Sequence, residues 1–147
     1  MTNFEIRTAK TTDFVAVHRL IEEFAAFIGT AEQVTITPEQ MAKDEKYFNC
    51  LVAVDRDRII GFATYFFAYY SWIGKAIYLD DLYVSTQFRG QGIGGKLFDS
   101  VMDIGKAEDC YKMKWQVSNW NKKAQAFYKS RGAVIDDVEI NCDLKLR

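Results

Sequence analysis

The stretch Gln87-Phe88-Arg89-Gly90-Gln91-Gly92-Ile93-Gly94-Gly95 constrains this chain more than any other. A β-rich run over residues 76–84 leads into it, and Ile93, Leu97, Val101 and Ile104 leave it at helical spacing, with Phe98 and Met102 flanking. A strand that passes through alternating glycines into a helix start leaves several backbone N–H groups around one point. The helix dipole adds partial positive charge there. Such a turn suits phosphate oxygens.

The remaining sequence reads as scaffold and second substrate site. At 147 residues it matches one domain over 1–147, with no internal repeat or boundary. Hydrophobic residues make up 49% and aromatics 15%, which excludes a disordered chain. A net charge of −1 gives no overall pull toward nucleic acid or membrane, so anion recognition has to be local. Cys50, Cys110 and Cys142 form no CxxC pair; they read as small buried apolar residues, without a zinc or disulfide framework. No basic segment precedes an apolar core near the N-terminus, and no apolar run reaches ~18 residues. The expectation is a soluble, cytoplasmic protein.

Phe4-Glu5-Ile6-Arg7 alternates as a first strand. Thr11, Thr12 and Asp13 then open a helix whose buried stripe is Phe14, Val17, Ile21, Phe24, Ala25 and Ile28, closed by Gly29. His18, the only histidine, lies beside that stripe and reads as a packed residue rather than a base. Thr37, Pro38 and Gln40 start a short second helix as cap, first position and capping-box partner. Strands over 50–54 and 59–67 form a hairpin, and an aromatic loop over 69–74 leads to the strand at 76–84. After the central helix come a strand over 112–117, a last helix with Ala124, Phe127 and Tyr128 inward, and a closing strand over 138–144. The order β-α-α-β-β-β-α-β-α-β implies an α/β chain with a mixed sheet covered on both faces.

Gly90, Gly92 and Gly95 fit the dinucleotide pattern G-x-G-x-x-G, but the following strand ends in Gln116-Val117-Ser118, without the acid that pattern needs. A P-loop fails because Gly95-Lys96 is followed by Leu97. What remains is Arg89-Gly90-Gln91-Gly92-Ile93-Gly94, which resembles the acetyl-CoA loop of the GNAT acetyltransferase superfamily. The bland alternative is a tight glycine turn with no ligand. Resemblance to the spermidine/spermine and thialysine N-acetyltransferases extends over nearly the whole chain. It is carried by Tyr65-Phe66-Phe67, Trp72-Ile73-Gly74-Lys75, Tyr78-Leu79-Asp80-Asp81, Trp120-Asn121 and Phe127-Tyr128-Lys129-Ser130-Arg131-Gly132-Ala133. It implies the GNAT fold, a mostly antiparallel mixed sheet with helices on both faces.

It also implies direct transfer of acetyl from acetyl-CoA to a primary amine, with no metal; no covalent acyl-enzyme is expected, because the cysteines carry no adjacent base and His18 is distant in sequence. On that resemblance, the backbone of Leu82, Tyr83 and Val84 holds the pantetheine arm. Arg89, Gly90, Gln91, Gly92, Ile93 and Gly94 hold the pyrophosphate, and Asn121, Tyr128 and Arg131 complete the cofactor contacts. Tyr128 is assigned as general acid for the coenzyme A sulfur, a role its phenol of pKa ~10 suits. Asp80 is assigned to the amine and its proton, while Tyr70, Trp72 and Gln116 join it as substrate contacts.

Asp80 and Asp81 interrupt an apolar strand, which is costly unless water or partners reach them. In a regular strand only one of two neighbours enters a given face; a bulge alters that. The packed or solvated reading stays open for both, and for Tyr70 and Trp72. Two acids of the polyamine enzymes are replaced here by Ile28 and Tyr70, which weakens the case for a long polycation and leaves open a shorter diamine, a thialysine-like amino acid or another amine. Glu139 offers a late acid, loosely aligned. A non-catalytic acyl-CoA-binding sensor is the alternative function. The family resemblance further implies a homodimer.

Overall fold

The computed structural model describes residues 3–147. Contacts divide it into two compact units, one running to Trp115 and the other covering Gln116–Arg147.

The first unit is built on a five-stranded sheet in the order β1 to β5: β1 (Glu5–Thr8), β2 (Asn49–Asp55), β3 (Arg58–Tyr70), β4 (Gly74–Val84) and β5 (Met113–Lys114). The first four strands pair antiparallel, and β5 lies parallel to β4. The mixed, mostly antiparallel sheet read from the element order is therefore present. Strand alternation divides the core in two. Cys50, Val52, Val54, Phe62 and Tyr83 face α1 (Phe14–Phe27) and α2 (Pro38–Lys43), where they meet Phe14, Val17, Leu20 and Met41. The opposite face carries α3 (Ile93–Ala107), whose Ile93, Leu97, Phe98 and Val101 are buried. At Gly105 the α3 backbone lies so close to β4 that an added Cβ would stand 2.8 Å from Ile77 Cγ2.

Several local expectations hold. Thr37 caps α2 by accepting from the Gln40 N–H, with Pro38 at the first helical position. Gly29 takes φ +75° just past α1. Others need correction. The Gln40 side chain does not close a capping box; its amide donates to both carboxylate oxygens of Asp44 at 3.1 Å each. Tyr69 and Tyr70 belong to β3 rather than to a loop, and the turn is confined to residues 71–73. The strand read over 112–117 pairs only through Met113 and Lys114.

In the second unit α4 (Lys122–Ser130) is capped by Asn121, whose side chain accepts from the Ala124 N–H at 3.1 Å. The closing strand expected over 138–144 does not form, and Val138, Ile140 and Leu144 are exposed. Alternation marks a segment as amphipathic; a strand also needs a ladder partner. Among the described residues no helix is long and apolar enough to cross a membrane.

Candidate active site

The site begins with an irregularity in β4. Thr64 pairs with Asp81 and Tyr65 with Leu79, so Asp80 is one residue too many and forms a bulge. The Asp81 N–H turns to the Thr64 hydroxyl oxygen, 3.2 Å away. Because of the extra residue, Asp80 and Asp81 both line one pocket of about 250 Å³, where a regular strand would send them to opposite faces. The pocket's apolar wall is Ile21 of α1, Ile36, Met41 of α2, Phe48 and Phe66; Thr64, Tyr65 and Asp44 complete the lining.

Its electrostatics are one-sided. Three carboxylates, Asp44, Asp80 and Asp81, line it and no Lys, Arg or His does. Burial pushes the Asp81 carboxyl up to about 6, and the neighbouring charge of Asp80 adds to the shift. Asp80 stands at the exposed mouth, and burial raises its carboxyl too. Asp44, fixed by Gln40 at the end of α2, is an acid the sequence reading missed. Its only signal was its place four residues after a glutamine on a short helix. Among the described residues no group of His, Cys, Asp and Glu converges as a metal site.

Beyond the bulge, β4 runs on to Val84 while its pairing with β5 ends at Tyr78 and Lys114. Leu82, Tyr83 and Val84 therefore have a strand on one edge only, as a cofactor arm lying along β4 requires. The glycine loop follows. Gly90 and Gly92 take φ +76° and +81°, and nothing lies within 4 Å of where a Cβ would stand on either. Their backbone conformation, not crowding, calls for glycine. Gly92 is the N-cap of α3 and no side chain caps that end, which leaves the first-turn N–H groups of Ile93 and Gly94 for an anion. These residues fit a pyrophosphate.

Two expected residues of the first unit lie away from this pocket. Trp72 is 97% exposed at the β3–β4 turn, and Tyr70 sits with Lys112 and Lys114 nitrogens each 5.2 Å from its ring centre. Neither lines the pocket. Tyr70 is four residues past Phe66, about 13 Å along an extended strand. In the second unit, Gln116 donates to Asn141 Oδ1 at 2.7 Å, Tyr128 meets Phe127 edge to face, and Arg131 lies over the Phe127 ring. His18 is packed as read, its Nε2 2.8 Å from the Ile36 carbonyl oxygen. Cys50 is buried with its thiol pushed up to about 12, whereas Cys142 is exposed, against the expectation of three buried cysteines.

The model of the acetyltransferase (GNAT) family matches residues 14–133. Thialysine N-epsilon-acetyltransferase of Mus musculus is 35% identical over 145 residues, which cover 90% of this chain and 85% of that one. Spermidine/spermine N(1)-acetyltransferase-like protein 1 of Homo sapiens is 34% identical over 145 residues, 91% of this chain but only 21% of that protein. In fold, an aminoglycoside acetyltransferase from an uncultured soil metagenomic sample, in complex with sisomicin, superposes with a TM-score of 0.81 at 22% identity, covering 97% of each chain. None of these matches supports a non-catalytic acyl-CoA sensor.

Proposed function

We propose, the chain being a member of the acetyltransferase (GNAT) family and an enzyme, that it acetylates a primary amine of a small molecule held in the pocket at the β4 bulge. The observation that carries this reading is the bulge itself. It turns Asp80 and Asp81 into one acidic pocket, on the strand whose far end opens the glycine loop. Two substrates handled by one strand make a short path between them.

Acetyl-CoA supplies the activated acetyl thioester. Leu82, Tyr83 and Val84 hold its arm through backbone groups, and residues 89–94 hold its pyrophosphate, with Asn121 and Arg131 as further contacts. Asp80 and Asp81 draw an ammonium group into the pocket. One of them then accepts its proton, directly or through water, which frees the nitrogen lone pair to attack. Tyr128 donates a proton to the coenzyme A sulfur. The carboxylates and the apolar wall favour an amine on an alkyl stem with a second polar or cationic end, as in a diamine or a thialysine-like amino acid. We read the two units as one catalytic domain, since the family match crosses from Trp115 to Gln116. A homodimer is in keeping with the exposed aromatics of the β3–β4 hairpin, Tyr69 and Trp72. A cytoplasmic location belongs to the same reading.

The test is thiol release from acetyl-CoA across spermidine, putrescine, thialysine, lysine and an aminoglycoside. Saturable release with at least one small primary amine is expected, and Asp81→Asn should weaken use of that amine. Tight coenzyme A binding with no release on any amine would sink the enzymatic reading in favour of a binder.

A further inference from the structure

We infer that Glu23, on α1, is a positioning residue for the acetyl-CoA loop and acts through Ser85; the inference rests on the assignment of residues 89–94 as that loop. Ser85 is the junction between β4 and the loop and is only 6% exposed. All of its polar groups are engaged. Its N–H donates to the Ile60 carbonyl at 2.9 Å, and its carbonyl accepts from the Phe88 N–H at 2.9 Å. Its hydroxyl donates to Glu23, 3.0 Å from Oε1 and 3.4 Å from Oε2. The first two contacts come from the sheet and from the loop itself. The third is the one that reaches across from a helix, and it sets the direction in which the chain leaves the strand.

Glu23 does not act alone. Its helical neighbours Phe24 and Phe27 meet the same junction. Phe24 stacks on Tyr83 with ring centres 5.0 Å apart, and Phe27 lies under the Arg89 guanidinium, 4.5 Å from its ring centre. Arg89 is further tied back, its Nε donating to the Val84 carbonyl at 3.0 Å. Residues 23, 24 and 27 share one side of α1, so its last turns form a clamp on the start of the loop. The charge of Glu23 is a poor choice for this place, because a carboxylate near a pyrophosphate site opposes anion binding. What the geometry uses is its acceptor oxygen. That distinction separates a positioning role from an electrostatic one.

The experiment measures coenzyme A binding by calorimetry, and KM and kcat for acetyl-CoA, on the full chain. Variants are Glu23→Ala, Glu23→Gln, Ser85→Ala and the Glu23→Ala/Ser85→Ala double change, with thermal unfolding recorded for each. Glu23→Ala and Ser85→Ala are each expected to weaken coenzyme A about tenfold, chiefly through KM. The double change should cost no more than Glu23→Ala alone, because Glu23→Ala already removes the Ser85 contact together with the influence of Glu23 on the Tyr83 hydroxyl. Glu23→Gln keeps the acceptor and should bind within about twofold of the parent, or tighter. Wild-type coenzyme A affinity in Glu23→Ala and Ser85→Ala overturns the inference, even where the unfolding temperature falls, since Glu23 is then structural only. Equal weakening by Glu23→Gln and Glu23→Ala also overturns it. Gly92→Ala tests the premise separately, because its φ of +81° strains any side chain. If that variant too binds coenzyme A normally, the loop assignment itself is wrong.

Discussion

The backbone N–H of Asp81 donates to the hydroxyl oxygen of Thr64 at 3.2 Å, across the point where the β3–β4 register slips. A bulge removes an N–H from the ladder, and here a buried threonine accepts it in place of a carbonyl. Thr64→Val keeps the shape and deletes the acceptor. It should cost about 1–3 kcal/mol of stability and lower kcat/KM for the amine about tenfold, with the acetyl-CoA KM within about twofold. Thr64→Ser should recover most of the loss. Chemical denaturation and two-substrate kinetics read both quantities.

Asp81 gives the site a pH dependence of definite sign. Its carboxyl is raised to about 6 by burial and by Asp80, so capture of a cationic amine should fall as pH drops below about 6. The amine kcat/KM profile should lose that limb in Asp81→Asn. Stability runs the other way. A carboxyl whose folded pKa lies above its unfolded value holds its proton more tightly in the folded chain, so stability is lost as pH rises from about 4 to about 6. Asp81→Asn should therefore be more stable than the parent at pH 8, by about 1–3 kcal/mol, while using its amine poorly. A variant less stable than the parent at pH 8 contradicts this account.

The glycine loop was legible in the sequence because its determinants are local. Two positive-φ positions demand glycine, and the strand before and the helix after carry their own periodicities. The pocket was legible only in part. Alternation along β4 separates Asp80 from Asp81, and only the pairing with β3 reveals the bulge that reunites them. Asp44 gave only the faint signal of its spacing from Gln40, because a helix of six residues is too short for its own propensity to fix where it ends. Tyr70 and Trp72 read as substrate contacts for their aromatic faces, Tyr70 standing where the polyamine enzymes have an acid. β3 runs on to Tyr70 and a short turn follows, and neither residue lines the pocket at the bulge. The alternating segment at 138–144 misled for a related reason, since periodicity describes a face and says nothing of the neighbour that would cover it.

Tyr128 lies in α4, four residues past Ala124, whose N–H donates to Asn121. In the mechanism proposed above it protonates the coenzyme A sulfur, so its hydroxyl should matter to the leaving group more than to cofactor affinity. Tyr128→Phe should lower kcat by about 10²-fold, with the coenzyme A dissociation constant within about twofold of the parent. Unchanged turnover removes it as the acid. An equal loss in binding and turnover instead makes it a cofactor contact.

Gly105 sits in the interior of α3, where helix propensity alone favours alanine by about 1 kcal/mol. The structure predicts the opposite outcome. A Cβ there would stand 2.8 Å from Cγ2 of Ile77, a β-branched side chain that is 1% exposed. Such a side chain has few rotamers to retreat into, and overpacking of this kind costs about 1–3 kcal/mol. Gly105→Ala should thus destabilise the chain in urea, and Ile77→Ala combined with it should restore part of the fit at the cost of a smaller core. Because Gly92 of the glycine loop is the N-cap of α3, any shift of the helix away from β4 moves the loop as well. The same Gly105→Ala variant should then raise the acetyl-CoA KM by a few-fold, with the amine KM unchanged.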